Sequence, residues 1–320
     1  MKSRSDASKK FLALEGLRGV ASVMVLFAHL KNAFFPDLFK MVEDRFGAQA
    51  TIFLSGFIDG NFGVWLFWVM SAFVLSARFH ATQSVEDASK ALTSATIRRY
   101  PRLALPVLAS VMFAWLLLVS GLMNNQRLAN DLGQPKGSWL DSFYGFNPSI
   151  IGALRCGLWD SFVDYTPESS YNRNLWTMEI EFLGSLFLFA FLALIGKHPS
   201  RLVFYAITFV VLNRIQMNVI NSFLFGIILS DVYSCRSCRE RFAGWLRAGF
   251  SSTPLSILRT NWFSLILFCP LIYLIGLPNY ANLLHLVLAS AVTALCIWDT
   301  SIARLLSRPF FVFLGAISFG

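Results

Sequence analysis

Long apolar runs separated by short polar segments set the pattern of this chain. The runs lie at 11–30, 56–77, 103–122, 175–195, 202–215, 217–233, 262–275 and 281–297. Most approach the roughly 20 residues that a helix needs to cross the hydrocarbon core of a bilayer. Another run opens at Pro309 and is still in pattern at Gly320. The expected fold is therefore all-α, a polytopic transmembrane helical bundle with about eight or nine spans. The pair of runs flanking Asn213 and Arg214 is short, and its division is the least sharp. Residues 1–10 form a polar, basic tail. No small-x-small cleavage site follows the first apolar run, so that run reads as a retained helix rather than a signal peptide. The segment 124–174 is the one large polar insertion, and it carries Trp139, Tyr144, Trp159 and Tyr171. It is expected either to cover a site or to be a packed loop.

Composition sharpens this picture. Of 320 residues, 56% are hydrophobic and only 14% charged, against about 25% charged in soluble domains. That balance excludes a soluble nucleic-acid binder and a disordered chain. The net charge of +9 is spread in short clusters between apolar runs, as the loops of a multi-spanning protein distribute it. With the N-terminus placed in the cytoplasm, eighteen Lys and Arg residues fall on the cytoplasmic side and eight on the other. The expected protein is thus integral to the membrane, N-terminus cytoplasmic, with 124–174 on the extracytoplasmic side. Among five cysteines, Cys235 and Cys238 form a single Cys-x-x-Cys pair. A structural zinc site takes four ligands and no second pair follows, so no metal is expected.

Charged side chains inside spans are costly and usually mark a functional pathway. Glu15, Arg18, His29 and Glu181 stand out, with Glu179 a fifth. Arg18 and His29 are 11 positions apart, which leaves them about 20° apart around a helix and roughly 16 Å apart along it. One face would carry a fixed cation near the cytoplasmic end and an imidazole near the far end. Glu15, three residues before Arg18, can also simply pair with it. Glu181 enters the bundle from the side where the first helix ends, so it is expected at a depth similar to His29. A carboxylate beside a histidine is a general-base arrangement. Glu179 and Glu181 are about 200° apart around a helix, so only one can face that site. Arg98, Arg99 and Arg102 precede the third span beside Pro101 and Pro106, which suit a helix start or kink. They read either as a cytoplasmic anchor or as a binding site for a phosphate-bearing donor. Ser71-Ala72-Phe73 sits in mid-span, where small residues permit close helix contact.

Read together, these segments resemble the acyltransferase-3 family of membrane O-acyltransferases. Leu14-Glu15-Gly16-Leu17-Arg18-Gly19-Val20-Ala21, followed by His29, is similar to the family's opening signature. Phe67-Trp68-Val69-Met70-Ser71-Ala72-Phe73-Val74-Leu75 is similar to its second-helix motif, with Ala72 in place of the usual glycine. Arg98-Arg99-x-x-Arg102-Leu103-x-x-Pro106 matches its arginine cluster. Leu175-Trp176-Thr177-Met178-Glu179-Ile180-Glu181-Phe182 resembles its Trp-Ser/Thr-Leu-x-Val-Glu motif, which places the family glutamate at Glu181. The wording is closest to fungal-type members. Leu314-Gly315-Ala316-Ile317-Ser318-Phe319 is similar to the start of the terminal motif, after which the family continues through another aromatic-rich helix. The resemblance therefore expects ten or so spans, and a chain that is C-terminally incomplete.

The resemblance implies one transmembrane acyltransferase domain over 11–320. It would move an acyl group, most often acetyl from acetyl-CoA, to a hydroxyl of a carbohydrate or other small molecule. His29 would deprotonate the acceptor hydroxyl or handle the acyl group, Glu181 would orient it, and Arg18 would stabilise negative charge. Arg98, Arg99 and Arg102 would bind the CoA phosphates. The expected partners are the lipid bilayer, the acyl-CoA donor and the hydroxyl acceptor, with no nucleic acid. Buried Arg, His and Glu also suit a proton-coupled solute transporter, and an inactive truncated homologue is the third alternative.

Overall fold

The computed structural model describes residues 2–235, 237, 238, 240, 281–298 and 301–318. The expected span at 262–275, with Cys269 inside it, lies outside the described residues, as do Arg236, Arg239, Arg241, Arg247 and Arg259. Every regular element among the described residues is helical. The α-helices in chain order are α1 (Lys2–Phe34), α2 (Leu38–Phe46), α3 (Ala48–Phe57), α4 (Gly60–Ala81), α5 (Val85–Val119), α6 (Asn125–Asp131), α7 (Ile150–Arg155), α8 (Ser161–Val163), α9 (Trp176–Ile195), α10 (Arg201–Arg214), α11 (Asn221–Ser234), α12 (Ala281–Ile297), α13 (Ser301–Leu306) and α14 (Pro309–Ile317), with single short π or 3-10 turns at Cys156–Asp160, Arg173–Leu175 and Asn218–Ile220. Four stretches are long and apolar enough to cross a membrane: Leu12–Phe34, Ala48–Ala81, Val85–Val119 and Arg173–Ile195. Asn218–Ser234 and Asn282–Ile297 are shorter apolar helices, and α10 has 14 residues.

Two boundaries differ from the hydropathy pattern, each for a local reason. The expected span at 56–77 is divided at Ile58 and Asp59. Asp59 is extended and its Oδ1 accepts the Phe62 amide at 3.0 Å, so a new helix starts at Gly60. Asp is a favoured N-cap because its short carboxylate satisfies a first-turn amide. The third span was expected to start beyond the arginine cluster, yet α5 is continuous from Val85, with Pro101 and Pro106 inside it. Its start is instead marked by Ser84, whose Oγ accepts the Asp87 amide, and by Glu86 and Asp87 in the first turn, where acids favour the helix dipole. At 35 residues, α5 is about 52 Å long, well beyond a core of about 30 Å.

The chain forms two compact units. The first draws on Met1–His29, Asp37–Ala88 and Ile195–Gly320, the second on Leu30–Pro36 and Ser89–Leu194.

In the first unit α4 is the central helix, and its most extensive partner is α11. The two backbones meet where Gly226 faces Ala72. A Cβ on Gly226 would collide with that of Ala72 and stand 2.7 Å from the Val69 carbonyl oxygen and 2.8 Å from the Phe73 amide nitrogen. Small residues at a crossing allow this approach, which is how helices in lipid gain packing energy. Met70, Val69, Phe223, Leu224 and Ile227 fill the surroundings and are fully buried. Helix α1 uses the same device against the start of α4. Gly63 lies against the Ala21 carbonyl oxygen and Val25, and Gly60 against Ala28. At the other end, Arg201 Nε and Nη2 donate to Asp231 Oδ2 and Oδ1 at 2.6 and 3.2 Å, and Tyr205 Oη donates to Oδ2 at 3.2 Å, tying α10 to α11.

In the second unit the polar insertion is packed rather than extended. Phe162, Ala153, Cys156 and Tyr171 are buried against Leu103, Ala104, Val107, Val111 and Ala114 of α5 and against Leu175. Tyr171 Oη accepts the Ser149 amide and donates to the Ser149 carbonyl, both at 2.9 Å. Asn172 Nδ2 donates to Ser110 Oγ at 2.8 Å. Tyr165 Oη donates to the Arg173 carbonyl at 2.9 Å. Burial pushes the Tyr165 phenol above its ordinary pKa, with the Ser170 hydrogen bond and Arg173 pulling the other way.

Candidate active site

The residues singled out by the sequence divide between the two units: Arg18 and His29 in the first, Arg98, Arg99, Arg102 and Glu181 in the second. Helix α1 carries both residues of the first pair. Arg18 Nη1 donates to Glu15 Oε2 at 3.0 Å and to Oε1 at 3.3 Å, the i,i+3 geometry that the spacing allowed. This contact fixes the guanidinium along the helix. His29 is half-buried, with its Nδ1 shielded from solvent. It follows Ala28, the residue on which Gly60 rests.

The helical path of α5 splits the arginine cluster. Arg98 and Arg102 are four residues apart and share a face, whereas Arg99 is turned about 100° away. Arg98 and Arg102 are exposed, and Arg98 Nε donates to the Ser94 carbonyl of its own helix at 3.0 Å. Arg99 points to α9 instead. Its Nη2 pairs with Glu181 Oε1, and its Nε donates to Ser185 Oγ at 2.7 Å. The pair is largely dehydrated, with side-chain exposures of 13% for Arg99 and 11% for Glu181.

Glu181 reaches that position because α9 buries one stripe. Glu181, Gly184, Ser185, Leu188 and Leu192 recur at steps of three and four and are all buried, the signature of an inward face. Glu179 falls off the stripe and is half-buried. A carboxylate held by a guanidinium is an anion with a fixed orientation. It can accept hydrogen bonds or balance a cation, and it is a poor proton donor.

Two further polar groupings in the first unit were missed by the sequence reading. Asp59 Oδ2 lies 3.1 Å from His285 Nε2, and His285 is only 3% exposed. At the opposite end of α4, His80 Nδ1 lies 2.9 Å from Ser230 Oγ. The criterion that selected His29, a titratable group inside an apolar run, also applies to Asp59 in 56–77 and to His285 in 281–297. Just beyond α9, Lys197 Nζ donates to the Thr82 carbonyl at 2.7 Å, and burial pulls its pKa below the ordinary value. Cys235 and Cys238 are joined to each other at the end of α11. Among the described residues, no group of three or more His, Cys, Asp or Glu side chains gathers as metal ligands.

The described helices, with four stretches long and apolar enough to cross a membrane, fit an integral membrane protein. The comparison with protein families gives its class. Residues 11–320 match the family described as an acyltransferase domain, Acyl_transf_3, and the chain belongs to that family. Searches of the curated proteins and of the solved structures return no match.

Proposed function

We propose that this protein is a multi-pass O-acyltransferase that moves an acyl group, acetyl in the simplest case, from acyl-CoA to a hydroxyl of a carbohydrate or other small molecule. The observation that carries the reading is the family match over 11–320. The buried charges in the spans support it. The reading takes eight or nine spans, with the N-terminus in the cytoplasm.

The overall step is simple. The acceptor hydroxyl loses its proton as its oxygen bonds to the thioester carbonyl carbon. The carbon–sulfur bond then breaks, and its electron pair leaves on the CoA thiolate. His29 is the proposed proton acceptor for the hydroxyl. Arg18, held by Glu15, stabilises the negative charge that develops on the reacting groups. Glu181, oriented by Arg99, is the buried carboxylate of the second unit. Arg98 and Arg102, exposed on one face of α5, engage the phosphates of the donor. Arg99 pairs with Glu181 and donates to Ser185 within the second unit.

The test is direct. Membranes carrying the protein are incubated with radiolabelled acetyl-CoA and a panel of sugars, glycans and small alcohols. The expected product is a labelled ester that alkaline hydroxylamine cleaves, which an amide would resist. His29→Ala should insert normally and lose about 10²- to 10⁴-fold in rate, the usual contribution of a positioned base. Near-normal transfer by that variant would remove His29 from the mechanism. Accumulation of an unmodified solute, without ester, would replace the enzyme by a transporter.

A further inference from the structure

The start of α4 holds a carboxylate–imidazole pair that the roles above do not use. Asp59 Oδ1 accepts the Phe62 amide at 3.0 Å, and Oδ2 faces His285 Nε2 at 3.1 Å. With one carboxylate oxygen committed to the helix cap, the other is placed to accept a hydrogen from Nε2, which leaves Nδ1 as the nitrogen turned away from the carboxylate. The ring is locked further by Phe62, whose centroid lies 5.7 Å away. His285 is sealed in the interior, and its Nδ1 has no hydrogen-bond partner among the described residues. Packing alone does not call for this arrangement. An aliphatic side chain would fill the same space without burying a bare nitrogen.

The pair sits beside the part of α1 that carries His29. Gly60, next to Asp59, lies against Ala28, next to His29, with a Cβ at Gly60 only 2.8 Å from that of Ala28. Buried imidazoles and carboxylates within membrane bundles serve as proton relays. An imidazole oriented by a carboxylate is the form of histidine best suited to pick up a proton.

We propose that Asp59 and His285 form a proton relay for the acyl-transfer reaction, a proposal that rests on the function given above. After transfer, the hydroxyl proton stands on His29. It passes to His285 Nδ1, directly or through one interior water, which returns His29 to its neutral form for the next turnover. Asp59 faces the other nitrogen and stabilises the imidazolium so formed. His285 then releases the proton to water, while the departing thiolate takes one from water, so no net proton is consumed. Asp59 is a positioning residue that acts through His285.

The alternative is a purely structural tie between α12 and α4, and two substitutions separate the readings. His285→Gln keeps an N–H donor for Asp59 but has no proton-accepting nitrogen. Asp59→Asn keeps the helix cap, since Asn caps as well as Asp, but removes the charge. Both are measured in the full chain in membranes for kcat, for KM of donor and acceptor, for the solvent deuterium isotope effect on kcat, and for thermal stability. The relay predicts unchanged KM values and melting, a fall in kcat of about ten- to a hundredfold, and a larger isotope effect. Wild-type kcat and isotope effect in His285→Gln would overturn it. So would a loss of activity that merely tracks a loss of thermal stability with the isotope effect unmoved. Absence of labelled ester with the wild-type protein would overturn the acyltransferase reading and the relay with it. Ester formation that depends on His29 but is indifferent to His285 would overturn the relay alone.

Discussion

Replacing Arg99 by methionine is the most informative perturbation of the second unit. The substitution keeps most of the apolar volume but leaves the Glu181 carboxylate without the guanidinium that faces it. It also removes the donor to Ser185 Oγ at 2.7 Å. Breaking a buried ion pair by deleting one partner costs about 3–5 kcal/mol, because the remaining charge is uncompensated in a poorly polarisable interior. Both side chains keep a little over a tenth of their exposure, so the lower end, about 3 kcal/mol, applies. That corresponds to roughly a hundredfold in the folding equilibrium. Arg99→Lys keeps the charge and gives up the forked geometry, so it should lose about 1 kcal/mol. The double variant Arg99→Met with Glu181→Met buries no charge and should recover most of the stability, although not the activity. Thermal unfolding of the purified protein in detergent ranks the four proteins. The reasoning is refuted if Arg99→Met melts like wild type and only raises the KM for acyl-CoA. In that case Arg99 belongs to the donor site with its neighbours.

Two other outcomes follow from the same structure. Arg98→Ala and Arg102→Ala should each raise the donor KM by about threefold to fivefold, the size expected of an exposed charge contact, with the acceptor KM little changed. An equal rise in both constants, measured by steady-state kinetics at fixed ionic strength, would leave these arginines as anchors only. Gly226→Ala should destabilise the first unit by about 2–3 kcal/mol, because the added methyl meets the backbone of Val69 and Phe73, which cannot move aside. Adding Ala72→Gly should restore only part of that loss in a thermal melt, and full recovery would show that the clash lies with the Ala72 side chain alone.

Much of this protein is determined along the chain. Apolar runs of membrane length fix an all-helical fold, because lipid offers no partner for an unpaired backbone group. The spacing of Glu15 and Arg18 fixes their pairing, since residues three apart meet on any helix. The Leu175–Phe182 motif singles out Glu181 over Glu179 by resemblance, and the structure places Glu181 on the buried stripe of α9. Other features depend on contacts that no local pattern carries. The arginine cluster reads as one basic patch in the sequence, yet a helix turns successive residues by about 100°, and only the packing of α9 against α5 decides that Arg99 is the one turned inward to a carboxylate. Asp59 and His285 are more than 200 residues apart in the chain. Each alone is a polar residue in an apolar run. Their meeting is a property of how α12 packs on α4, because a buried charge or imidazole is tolerated only where tertiary structure brings it a partner.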